Sequence, residues 1–99
     1  MSPVFAVRSL PRTERLLRKL NQKHPELRLV LREVATILES DPYNRSRSHN
    51  IKKLESVAEG THGQWRLRLG RWRFRYDIDG KTVVLYYAGL RREDTYRSR

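Results

Sequence analysis

From residue 63 to residue 78, apolar and basic residues alternate strictly on both sides of a Gly-Arg pair. A period of two marks strands with one buried and one exposed face. A two-residue turn at Gly70-Arg71, with glycine supplying the positive φ of its first position, fixes the register. Leu69 then opposes Trp72, Leu67 opposes Phe74 and Trp65 opposes Tyr76, all on one face. The other face sets Arg68 against Arg73 and Arg66 against Arg75. Like charges directly opposite each other destabilise a sheet. Two readings of that face stay open: a solvated basic surface, or the seat of a polyanion that offsets the repulsion.

Elsewhere the pattern is helical or extended. The run Val4-Phe5-Ala6-Val7 is rich in β-formers and reads as an opening strand. Ser9 suits an N-cap, and Leu10, Leu16, Leu17 and Leu20 follow at helical spacing. Lys23-His24-Pro25 should end that helix, because the residue before proline is pushed out of the α region. Pro25 suits the first turn of a second helix, striped by Leu27, Val30, Leu31, Val34 and Leu38 and stopped at Asp41-Pro42. The two helices should form a hairpin with their stripes turned to a common core. Residues 41–63 show no periodic element, with Ile51 and Leu54 expected to pin the middle and to hold Lys52 and Lys53 near the sheet. A connection of this length in a small domain is uncommon and usually functional or mobile. After the arginine hairpin, Asp79-Gly80 reads as a type I′ turn, and the strand from Thr82 to Ala88 is apolar on both faces, hence interior. In that register Tyr86 opposes Arg73. The expected fold is α+β, in the order β-α-α-β-β-β, with a helical hairpin on one face of a small, mostly antiparallel sheet.

Length and charge narrow the partners. With 99 residues the chain is expected to be one domain, 1–99, around a modest core. It holds no apolar run long enough to span a membrane and no secretory leader pattern, so a cytoplasmic protein is the expectation. Cysteine is absent, which excludes disulfides and thiolate metal sites. Lysine and arginine total 22 against 11 acids, a net charge of +11. Arginine dominates, and its planar fork suits phosphate contact and base stacking. Such a domain should meet nucleic acid, an acidic protein, or both.

Familiar enzyme motifs are missing. No phosphate-binding glycine loop or nucleophile elbow occurs, and His24, His49 and His62 do not have metal-ligand spacing, so no metal or cofactor is expected. What remains is a basic face with aromatics: Arg66, Arg68, Arg73, Arg75 and Tyr86, with Lys52 and Lys53 beside them and Arg91 and Tyr96 following the last strand. Guanidinium groups stabilise charge developing on phosphate, and tyrosine stacks on bases or donates a proton. The set suits nucleic-acid binding. It also suits metal-free cleavage of RNA, in which the neighbouring 2′-hydroxyl is the nucleophile.

Four segments carry a resemblance: Asp41-Pro42-Tyr43, Ile51-Lys52-Lys53-Leu54, the alternating stretch 63–78, and Gly89-Leu90-Arg91-Arg92-Glu93-Asp94-Thr95-Tyr96. In order, spacing and context the chain resembles the RelE/ParE superfamily of type II toxin–antitoxin toxins over residues 3–97. The resemblance implies a ribosome-dependent mRNA endonuclease that inhibits translation and is neutralised by an acidic antitoxin. It matches Arg66, Arg68, Arg73, Arg91 and Tyr96 to the basic and tyrosine positions of RelE-type toxins, so Arg68, Arg73, Arg91 and Tyr96 are the expected catalytic set. The basic face supplies Lys52, Lys53, Arg66, Arg75 and Tyr86 as the expected RNA contacts. Active RelE-type enzymes often carry lysine at the positions of Arg66 and Arg68, one of them serving as general base. Arginine stays protonated, so that role would pass to Glu93, His49, His62, a ribosomal RNA group or water. The alternatives are the superfamily's ParE-like branch, which poisons DNA gyrase, and a basic nucleic-acid-binding homologue with weak catalysis.

Overall fold

The computed structural model describes residues 4–54 and 62–91. The chain runs β1 (Ala6–Ser9), α1 (Pro11–Lys23), α2 (Leu27–Ser40), β2 (Ile51–Lys53), β3 (Trp65–Leu69), β4 (Trp72–Asp79) and β5 (Thr82–Leu90). The five strands form one mixed sheet in the order β1-β5-β4-β3-β2. Only β1 and β5 run parallel; every other pairing is antiparallel. The helical pair covers one face, as the apolar stripes require. Leu27, Val34, Ile37 and Leu38 from α2 meet Leu67, Trp72, Phe74, Tyr76, Val83, Leu85 and Ala88 from the sheet in one buried cluster. No helix of the described residues is long and apolar enough to cross a membrane.

The hairpin of β3 and β4 has the register its alternation dictates. Leu69 pairs with Trp72, Leu67 with Phe74 and Trp65 with Tyr76, while Arg68 meets Arg73 and Arg66 meets Arg75. Gly70 takes φ 60°, the left-handed conformation that the turn demands and that glycine adopts without strain. Arg71 then reaches back to the helical corner, donating to Glu26 Oε2 at 2.8 Å.

Other boundaries differ from expectation. The first strand begins two residues late, at Ala6, because its pairing is set by β5 rather than by its own apolar run. Leu10, not Ser9, occupies the N-cap of α1, and Pro11 opens the helix, its missing N–H costing nothing there. Pro25 stands before α2, whose first residue is Leu27. The long connection contains a strand, β2, too short to show a period and fixed by Ile51↔Leu67, Lys52↔Arg66 and Lys53↔Trp65. That adds one strand to the expected order without changing the class or the layers.

Residues 41–50 are also tied rather than loose. Asp41 accepts from the Arg45 and Ser46 amides and from the Ser46 hydroxyl, and Asn44 exchanges two hydrogen bonds with the His49 backbone. The buried Tyr76 hydroxyl donates to the Pro42 carbonyl at 2.6 Å, fastening the loop to the core.

Candidate functional site

The turn joining β4 to β5 is Gly80-Lys81, with Asp79 opposite Thr82 and Gly80 at φ 61°. Moving the turn one residue along shifts the register by two, and a bulge opposite Arg75/Tyr76 shifts it by a third. Arg73 therefore opposes Gly89 and Arg75 opposes Tyr87, which corrects the expected pairing of Tyr86 with Arg73. Tyr86 is the extra residue of the bulge. Its carbonyl, left out of the ladder, accepts from the buried Thr13 hydroxyl of α1 at 3.1 Å.

These shifts decide which side chains share the arginine face. Arg66, Arg68, Arg73, Arg75, Leu54 and Tyr87 line a cleft of about 400 Å³. Tyr87 has no apolar period to mark it in the sequence, and only the bulge brings it here. The close approach of Gly89 is the remaining device: a Cβ at that position would collide with the Tyr87 hydroxyl and ring. The tyrosine thus lies along its own strand from the Arg75 row toward the Arg73 row, a two-residue rise of about 6.8 Å.

The cleft is electrostatically strained. Burial, and then the charges of Arg68, Arg73 and Arg91, push the Arg66 guanidinium below its ordinary pKa. Arg66 Nε and Arg68 Nε are shut off from solvent without a hydrogen-bond partner among the described residues. A buried unpaired donor is costly, and two of them on like charges of one strand add to the cost of this face. The outer edges are better satisfied: Arg75 Nε donates to the Gly63 carbonyl at 2.7 Å and Arg66 Nη2 to Asn50 Oδ1 at 3.3 Å. Arg91 follows β5, exposed, its backbone N–H held by the Arg71 carbonyl at 2.7 Å.

The remaining candidates scatter. Lys52 shares the arginine face through its pairing with Arg66. Lys53 faces the other way, its Nζ 5.8 Å from the centre of the Trp65 ring. Tyr86 stacks on His62, with ring centres 4.6 Å apart and planes within 7°. His62 Nδ1 lies 3.8 Å from Asp77 Oδ2, and Asp77 itself accepts from the Gly63 and Gln64 amides. His49 sits against Asp41 in the connecting loop, and His24 packs edge-on to Trp72. The described residues bring no three His, Asp or Glu side chains together in a metal-binding group. Glu93 and Tyr96 lie outside the described residues.

No protein-family model matches the chain, and no curated protein matches it significantly. Among solved structures it is similar to a chain of the archaeal RelE–RelB complex from Pyrococcus horikoshii OT3. The TM-score is 0.60 at 22% identity, over 91% of this chain and 98% of that one. The likeness is one of fold: two helices against a five-stranded mixed sheet, as in RelE.

Proposed function

We propose that this chain is the toxin of a type II toxin–antitoxin pair and an endonuclease of ribosome-bound mRNA. The observation that carries the reading is the arginine cleft, four guanidinium groups on the exposed face of a RelE-type sheet. In cleavage of this kind the 2′-hydroxyl attacks the adjacent phosphorus and the 5′-oxygen departs, leaving a 2′,3′-cyclic phosphate. The nucleophile belongs to the RNA, so the protein's task is to hold the phosphate and stabilise its developing charge. Arg73, Arg68 and Arg91 are assigned to the scissile phosphate, Arg66, Arg75 and Lys52 to the flanking backbone, and Tyr96 to the nucleotide at the cut. Lys53, which faces the other way, and Tyr86, stacked on His62 beside the cleft, fall at the margin of the RNA path.

The partner follows from the same charge. A net +11 on 99 residues calls for an acidic antitoxin covering the cleft, as the RelE–RelB complex has an antitoxin beside its toxin. The test is induction in cells together with cleavage of mRNA on programmed ribosomes. Wild type should arrest translation and leave cyclic-phosphate ends, and Arg73→Ala should do neither while remaining folded. Blocked gyrase supercoiling with intact mRNA would replace this reading with the ParE-like one.

A further inference from the structure

Resting on that reading, we infer that the Tyr87 hydroxyl, seated over Gly89 in the arginine cleft, is the general acid that protonates the departing 5′-oxygen. The chemistry needs one proton removed and one supplied. Of the cleft's lining residues, Leu54 has no exchangeable side-chain proton, and the four arginines hold theirs at any physiological pH. Among the described residues that line the cleft, the Tyr87 hydroxyl is the one group able to give up a proton and take it back. A phenol is a far stronger acid than the alcohol formed at the 5′-carbon, so transfer to the leaving alkoxide is downhill.

The placement is specific. Tyr87 pairs with Arg75, and its hydroxyl end reaches Gly89, the partner of Arg73. Any side chain at 89 would lift the hydroxyl away from the Arg73 row. Tyr87 is also 43% exposed, so its ring is not held there by the core. In the step itself the O2′–P bond forms and the P–O5′ bond breaks. The 2′-proton passes to water, the Tyr87 proton to O5′, and the phenolate recovers a proton from solvent.

The experiment compares two mRNAs on programmed ribosomes, one unmodified and one with sulfur replacing the bridging 5′-oxygen at the cut. A thiolate leaves without protonation, so loss of a general acid is rescued by sulfur and loss of a phosphate clamp is not. Tyr87→Phe should slow the oxygen substrate by about 10²–10³-fold and cut the sulfur substrate as fast as wild type. Gly89→Ala, which displaces the hydroxyl but keeps every arginine, should behave alike. Arg73→Ala should stay slow on both. Slow cleavage of both substrates by Tyr87→Phe, or wild-type cleavage of the oxygen substrate, overturns the assignment and leaves the nuclease reading standing. Wild type that cuts neither substrate overturns both.

Discussion

The two faces of the β3–β4 hairpin share one backbone and one register yet follow opposite rules. On the helix side Leu67, Trp72, Phe74 and Tyr76 are buried against α2 and β5. On the other side Arg66, Arg68, Arg73 and Arg75 face one another across the same rungs, with two guanidinium nitrogens left without partners among the described residues. A strand's alternation thus separates stability from function residue by residue. The core face supplies the surplus against which the arginine face is tolerated.

The comparison is broken most severely from the core side. Trp72→Ala or Phe74→Ala should cost about 3–5 kcal/mol, enough to unfold a small domain. Thermal melts that found Arg73→Ala equally damaging would reverse the assignment of the faces. Tyr76→Phe removes only a hydroxyl, but it strands the Pro42 carbonyl, and a loss of about 1–3 kcal/mol is expected in denaturant titration.

A smaller effect depends on pH. Burial opposes the Asp41 charge, yet the Ser46 hydroxyl, the Arg45 and Ser46 amides and nearby His49 hold its carboxyl below the usual range. A carboxylate depressed in the folded state adds stability above its unfolded pKa, about 4, and that contribution is lost as the pH falls further. Asp41→Asn should therefore flatten the acid limb of the stability curve, measured by melts between neutral and acid pH. The smallest change has the opposite sign. Arg73→Ala should leave the melting temperature unchanged or slightly higher, by less than about 1 kcal/mol. The same variant should lose about 10²–10³ in cleavage rate.

Where period and turn agreed, the chain could be read directly. The Gly70-Arg71 hairpin is flanked by uninterrupted alternation, so turn, pairing and faces followed together. The helical hairpin was legible from its leucine stripes, though not its caps, since Ser9 and Pro25 each satisfied a rule one step from where it applied. The β4–β5 register was hidden because Gly80 fits either position of a two-residue turn, and because a bulge leaves no mark in composition. Both errors fell on the same strand, and so the sequence pointed to Tyr86 and passed over its neighbour Tyr87. Strand β2 escaped notice since three residues carry no period; its pairing comes from β3.

The parallel rung between β1 and β5 joins residues 6–9 to residues 82–85. Contacts so distant along a chain form late and slow folding. During synthesis the first strand has no strand to pair with until the ninth decade of residues has been made. That closing strand also carries Tyr87 and Gly89 and leads into Arg91. The cleft is finished only when β5 has paired with β4 and brought Tyr87 opposite Arg75.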